Sequence, residues 1–419
     1  MGEIQLPYHW KVVKLNDISL ETFGGGTPST KQDDFWDGCI PWTTTAVFTS
    51  KDIYLTNYQR SITEKGLENS SSKIALKGSV LIGTRVGLGK AVIATFDVAV
   101  NQDITVVTLK PDILSDFFVL YFKSFKVQSW ISDRKRGTTI QGIPRGDVIK
   151  LPVPLPPLPE QKTIAHTLRT IQKAKEPRQR ELELERERKA ALMQYLFTHG
   201  TGNEPRKQTE IGEIPQSWEL VRLDSLVEFF SGGTPAKNHP EWWQGNIPWV
   251  STKDLKQARL SDTIDHISKE GLENGSRLVS EKTLLVAVRG MCLAKNIPVA
   301  ITEVSMAFNQ DIKALVPSSK VEAEYLLCAI QYLKDYLLRF VGTSAHGTKR
   351  LPTSSLKTLQ IPLPKIKEQQ LIAITLKACD RKIQALEKEI ALTDELFHAM
   401  LEQLMTGKIS TQPLTETYV

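Results

Sequence analysis

At 419 residues the chain exceeds one ordinary domain and predicts two or three, each large enough to bury a core. Its 41% apolar and 24% charged residues read as globular; no apolar run nears the ~20 residues of a membrane span, and MGEIQLPYHW holds no signal core, so a cytoplasmic location away from any membrane is expected. A net charge of +6 permits a polyanionic partner without demanding one, and four scattered cysteines, Cys39, Cys292, Cys328 and Cys379, fit neither a disulfide framework nor a zinc knuckle.

The first signal along the chain is GGTP, Gly25 to Pro28. It predicts a tight turn in which Gly26 and Thr27 are candidates to approach a phosphate, a purely structural turn being the other reading. WDGCIPW follows from Trp36 to Trp42, with tryptophans that read as core anchors ahead of base-stacking platforms and with Thr43 and Thr44 just beyond as candidate readers. Past GLEN (Gly66 to Asn69), the β-branched runs SVLIGTRV, AVIATF and ITVVTL predict strands over 79–86, 91–96 and 104–109, interrupted by NQDI at Asn101 to Ile104. Arg85, at the end of the first run, joins the candidate contacts. Three- and four-residue apolar spacing predicts a helix over 115–130. The loop SDRKRGTTIQGIPRGD then gathers Arg134, Lys135, Arg136 and Arg145 with Thr138, Thr139 and Gln141, side chains suited to phosphates and base edges, or simply a solvated loop.

After a proline-rich stretch, LPVPLPPLPEQ, a helical segment starts near residue 158, and then every signal returns about 207 residues later. GGTP recurs at Gly232 to Pro235 with Thr234 as the matching candidate, and WQGNIPW recurs at Trp243 to Trp249. The residues after it, Ser251, Thr252, Lys253 and Asp254, differ from their counterparts, as they should if each copy reads a different sequence. GLEN recurs at Gly271 to Asn274, strands are predicted in TLLVAVRG (with Arg289), IPVAITE and IKALV, and NQDI recurs at Asn309 to Ile312. A helix is predicted over 322–340, then a second basic loop, RFVGTSAHGTKRLPTS, with Arg339, Thr343, Ser344, His346, Lys349 and Arg350. Two α/β repeats are too few for a solenoid and imply a pseudo-twofold object. The expected boundaries are a first globular domain over 1–157, a helix over 158–200, a linker and second globular domain over 201–365, a helix over 366–410 and a tail over 411–419.

In the second helical segment Ile372, Leu376, Cys379, Ile383, Leu386, Ile390, Thr393, Phe397, Met400 and Leu404 recur at coiled-coil spacing. The first keeps that stripe at its ends, with Ile164, Leu168 and Ile171 and then Leu192 and Leu196, whereas its centre is polar and Pro177 predicts a kink or a break. Each segment is the simplest partner for the other, paired antiparallel.

Signatures of catalysis are missing. GTRVGLGK (Gly83 to Lys90) has the wrong spacing for a phosphate loop and reads as a glycine-bearing strand turn, and no metalloprotease helix, nucleophile elbow or methyltransferase motif occurs.

The ordered set of GGTP, W-x-G-x-IPW, NQDI and PLPPLPEQ, with helices ending at Leu196 to Thr198 and Leu404 to Thr406, resembles the DNA specificity subunit of type I restriction-modification systems over essentially the whole chain. That resemblance implies two target recognition domains, each reading one half of a split asymmetric double-stranded DNA target and separated by antiparallel helices. It also implies two docked methyltransferase subunits and two translocating endonuclease subunits. S-adenosylmethionine, ATP and Mg would belong to those partners, leaving this chain without catalysis, cofactor or metal. A rigid helix pair would set half-site centres about 10 bp apart. The alternative is a coiled-coil interaction scaffold that does not read DNA.

Overall fold

The computed structural model describes residues 6–138, 141–202, 204–343 and 347–411. Two long helices stand out, Leu158–His199 and Ile366–Met405. The chain gathers into two compact units, Met1–Gln179 with Lys388–Val419, and Arg180–Glu387. Neither unit is simply one contiguous repeat, because each takes part of both long helices.

In the first unit a five-stranded sheet runs in the order Ser19–Gly24, Ile104–Leu109, Val80–Gly83, Ala91–Ala94, Tyr54–Leu55. A four-stranded sheet runs Arg60–Ile62, Trp36–Thr43, Val98–Val100, Lys73–Ala75. The central strands are continuous apolar runs because both their faces are covered, as Val80–Gly83 and Ala91–Ala94 show by burying every residue. Within the second unit the same two orders recur, with Val227–Ser231, Ile312–Pro317, Leu284–Ala287, Val299–Thr302 and Arg259–Leu260 in the larger sheet. The smaller sheet is Asp265–Ile267, Ile247–Val250, Met306–Phe308, Leu278–Val279. The proline-rich stretches are edge strands of two-stranded ribbons, Pro152–Leu155 against Lys11–Lys14 and Gln360–Leu363 against Glu219–Arg222, where a missing N–H is tolerated.

The single helix expected over 115–130 is two, Ser115–Phe122 and Phe125–Ser132. Ser124 turns extended between them, and Gln128 Nε2 donates to the Phe122 carbonyl at 2.8 Å, taking over an acceptor that the helix no longer satisfies. The counterpart expected over 322–340 likewise divides, at Leu333, into Ala323–Tyr332 and Lys334–Leu338.

Each domain is fastened to a long helix by the Glu-Gln pair at that helix's start. Gln161 accepts from Leu114 N at 2.9 Å and donates to the Pro156 carbonyl at 3.0 Å; Gln369 does the same with Glu322 N at 2.8 Å and the Pro364 carbonyl at 2.9 Å. Glu160 receives the Trp10 indole N–H, and Glu368 that of Trp218, both at 3.2 Å.

The first long helix continues through Pro177 without a break, correcting the expected interruption. Its polar centre is paired instead of loose. In the first unit Lys175 meets Asp394 and Arg178 meets Glu389 at 2.8 Å, on either side of the proline. In the second unit Glu181 meets Lys382 at 2.7 Å, Arg186 meets Glu387 at 2.6 Å and Lys189 meets Asp380 at 2.5 Å. Falling numbers on one helix against rising numbers on the other make the pairing antiparallel. Toward the helix ends the apolar stripe closes as expected: Ile164, Leu168, Phe397 and Leu404 are buried in the first unit, with Ile171 half-buried beside them. Leu196, Ile372, Leu376 and Leu386 are buried in the second, where Leu192 and Ile383 are half-buried; Ile390, in the first unit, is half-buried too. Among the described residues no helix is long and apolar enough to cross a membrane.

Candidate nucleic-acid interface

The repeated tryptophan segment is a fastening device for the smaller sheet. Trp36 and Trp42 meet edge to face at 5.2 Å, and Trp243 and Trp249 at 4.9 Å. Between them Gly38 and Gly245 lie so close to the neighbouring strand that an added Cβ would come within 2.6 Å of the Ile62 carbonyl or 2.0 Å of the Ile267 carbonyl. The Trp42 indole donates to the Gly26 carbonyl at 3.2 Å and the Trp249 indole to the Gly233 carbonyl at 3.0 Å. The tryptophan segment therefore holds the GGTP turn.

GGTP in turn grips NQDI. Thr27 Oγ1 donates to Gln102 Oε1 at 2.7 Å, and Thr234 Oγ1 to Gln310 Oε1 at 2.5 Å. The Gly26 N–H is spent on the Val100 carbonyl at 3.1 Å and its carbonyl on Trp42, so Gly26, which is buried, has no group left for a phosphate. That corrects the Gly26 candidate in favour of the structural turn. Thr27 is exposed and Thr234 half-exposed. NQDI also turns back on itself, Asn101 Oδ1 accepting from Asp103 N and Asn309 Oδ1 from Asp311 N, both at 3.1 Å.

Asp103 sits 3.8 Å from Arg85 and accepts from Asn101 Nδ2 at 2.9 Å, so the motif orients the arginine at the end of a central strand. The backbone next to Arg85 carries the basic loop: Ile143 N donates to the Thr84 carbonyl at 2.8 Å, and Arg136 pairs with Gly142 through two bonds of 2.8 Å. In the second unit Leu351 N donates to the Val288 carbonyl and Gly290 N to the Lys349 carbonyl, both at 3.0 Å, while Arg289 bridges Arg350. Each basic loop is thus a small hairpin, with Gly342–Thr343 against Lys349–Arg350 as the second, docked on the strand end that bears Arg85 or Arg289.

On and beside the first hairpin Arg134, Lys135, Arg136, Thr138, Gln141 and Arg145, the last opening a short helix over Arg145–Val148, are all exposed. Arg136 pairs with Asp147 at 2.9 Å, and the Arg134 guanidinium lies 4.5 Å from the Trp130 ring. Lys135 and Arg145 have no acidic partner among the described residues; neither do Arg289, Arg350 and Lys253 in the second unit. Arg350, Thr343, Arg289 and Lys253 are exposed, Lys349 and Thr252 half-exposed, and Lys349 Nζ donates to Thr343 Oγ1 at 2.9 Å. His346, with Thr139 and Ser344, lies outside the described residues.

Two further candidates are corrected. Thr43 is fully buried in its strand, its carbonyl taken by Asn101 N. Ser251 is buried in a turn, its N–H and hydroxyl both donating to Asp254 Oδ2, at 2.8 and 2.9 Å. Thr44 stays half-exposed and bonds Gln59.

Sequence reading missed Lys313 and Lys357. Burial, and then the neighbouring Lys357 and Arg350 charges, pull the Lys313 ammonium below its usual range, so three cations share one face of the second unit. Lys313 comes from a strand of the larger sheet, Arg350 from the hairpin and Lys357 from the helix Thr353–Lys357, and no spacing in the sequence signals their meeting. The phosphate-loop resemblance of Gly83 to Lys90 also ends here, because Lys90 Nζ is occupied by the Thr45 and Phe48 carbonyls at 2.9 and 2.8 Å. Among the described residues no group of side chains could hold a metal ion.

A family model for the type I restriction modification DNA specificity domain matches the chain twice, over residues 7–186 and 215–393. The MjaIX type I restriction enzyme specificity subunit of Methanocaldococcus jannaschii is 26% identical, over 98% of this chain and 96% of its own. The EcoR124I/EcoR124II specificity subunit of Escherichia coli is 30% identical over 39% of this chain and 41% of its own. The crystal structure of the type I system S subunit from M. genitalium aligns at 15% identity over 94% of this chain and 96% of that one, with a TM-score of 0.60. A chain from a structural study of type I complex assembly and conformational transition aligns at 17% identity over 97% of this chain and 100% of that one, with a TM-score of 0.61. At such identities the structural likeness shows the fold alone.

Proposed function

This chain belongs to the type I restriction-modification DNA specificity family, and we propose that each of its two globular domains reads one half of an interrupted, asymmetric DNA target. It is a specificity subunit, not a catalytic one. The observation that carries the proposal is the pair of hairpins docked at matching strand ends, on and beside which lie exposed cations without acidic partners among the described residues, namely Lys135 and Arg145 in one domain and Arg289 and Arg350 in the other. Unneutralised arginine and lysine suit phosphate oxygens, whereas the intervening Thr138, Gln141 and Thr343 can reach base edges.

In the same proposal the methyltransferase and endonuclease subunits dock on the long helices and supply S-adenosylmethionine, ATP and Mg chemistry. Supporting this are apolar side chains left exposed along those helices: Leu184, Leu371 and Ile374 in the second unit, Leu392 and Leu396 in the first. A scaffold that ignores DNA would account for the helices but not for exposed, unpaired cations in the basic segment of each domain.

The test is binding of the assembled methyltransferase complex to target and unrelated duplexes across a salt series. Replacing Lys135 and Arg145 by Ala should weaken both kinds of DNA alike and reduce the slope of log K against log salt by about 0.9 per lost phosphate contact. An unchanged slope would place the phosphate contacts elsewhere.

A further inference from the structure

The arginines at the two matching strand ends are each followed within two residues by a large apolar side chain in the open, Val86 directly after Arg85 at 51% exposure and Met291 two residues after Arg289 at 65%. A solitary exposed apolar residue needs no explanation. Recurrence in both domains, within two residues of the strand-end arginine and beside the basic hairpin docked there, does.

In neither domain is the backbone beneath that side chain loose. The Val86 carbonyl accepts from Thr45 Oγ1 at 2.7 Å, Arg85 bridges Gly87, and Leu88 N donates to the Arg85 carbonyl at 3.1 Å. Thr45 itself is buried directly after the tryptophan segment, so the repeated framework pins this loop. In the second domain Gly290 N is held by the Lys349 carbonyl at 3.0 Å, and Met291–Ala294 forms a single helical turn whose Leu293 is buried. With Leu293 turned into the core, Met291 faces outward. Two differently built loops thus each present an exposed apolar group just past the strand-end arginine.

We propose that Val86 and Met291 are specificity-determining residues, each packing on the 5-methyl group of a thymine in the half-site read by its own domain. The inference rests on the DNA-reading function proposed above. The chemistry narrows the choice: among the features that base edges present in the major groove, the thymine methyl is the apolar one, and all others are hydrogen-bond donors or acceptors that an aliphatic or thioether side chain cannot serve. Arg85 and Arg289 set the loops against the backbone or a guanine, and the neighbouring apolar group supplies discrimination that the arginine lacks.

The experiment measures equilibrium binding of the assembled methyltransferase complex to duplexes in which each thymine of the target is replaced, one at a time, by deoxyuridine, which removes only the methyl group. In each half-site one such replacement should weaken the unaltered complex roughly threefold to tenfold, the worth of one methyl taken out of water. For Val86→Ser the penalty at its own position should shrink below about twofold while every other position and the salt slope stay as they were; Met291→Ser should do the same in the other half-site only. Circular dichroism of both variants checks that the fold is retained. A half-site without thymine, a penalty that survives the substitution, or a uniform loss on all DNA would each overturn the assignment. If the unaltered complex fails to distinguish target from unrelated DNA, the DNA-reading function itself falls; discrimination with indifference to deoxyuridine overturns the methyl contact alone.

Discussion

Lys189 and Asp380 meet at 2.5 Å in the second unit, their side chains only 17% and 24% exposed. An exposed ion pair contributes about 0.2–1 kcal/mol, whereas removing one partner of a buried pair costs about 3–5 kcal/mol by stranding the other charge. At this exposure water screens part of that penalty, so Lys189→Met should cost about 2 kcal/mol, and Asp380→Leu a similar amount. Replacing both together removes the stranded charge and fills the seam with apolar side chains, so the double variant should lose less than about 1 kcal/mol. Urea denaturation of the full chain, followed by circular dichroism for the four members of the cycle, gives the coupling directly. Additive single effects, or a cost below about 0.5 kcal/mol for Lys189→Met, would refute the view that paired charges complete the seam where apolar residues give out.

Other consequences can be checked separately. Burial pulls the Lys123 ammonium down to about 8, below the unfolded lysine value, so between about pH 8 and pH 10.4 the unfolded chain binds the extra proton and stability rises with pH. Lys123→Met should flatten that rise in thermal melts across the window; an unaltered difference between the two ends would contradict it. Trp249→Phe removes the indole donor to Gly233 and should cost about 1 kcal/mol while relaxing only the half-site read by the second domain, as scored by binding to half-site variants. Gly232→Ala would bring a Cβ within 2.1 Å of the Phe308 carbonyl and should destabilise the chain by more than about 2 kcal/mol in the same melts; a neutral outcome would mean the GGTP turn is not held as described.

Much of this architecture was legible because the repeat exposes it: residues kept in both copies, such as the tryptophans and the glycines of W-x-G, turned out to hold one framework together. Apolar periodicity located both long helices. What sequence could not supply were contacts whose partners lie far apart along the chain. The polar centre of the first helix looked like an interruption until Asp380, Glu387, Glu389 and Asp394 on the second helix were seen to answer its charges. Thr43 and Ser251 looked available because they follow the tryptophan segments, yet strand pairing buries the first and a turn the second. Charge in the basic loops was plain, but not which cations it left unneutralised: Asp147 takes Arg136, while Lys313 on a strand and Lys357 on a helix come near each other only through the tertiary fold.

The central claim is that each domain reads its own half of the target. Its most direct test exchanges residues 219–363, cut where the Glu219–Arg222 and Gln360–Leu363 strands pair, for the matching segment of a relative with a different target, then maps DNA methylation by the reassembled complex. One half-site should change to that of the donor, with the other half-site retained. Alteration of both halves, or of neither, would contradict modular reading.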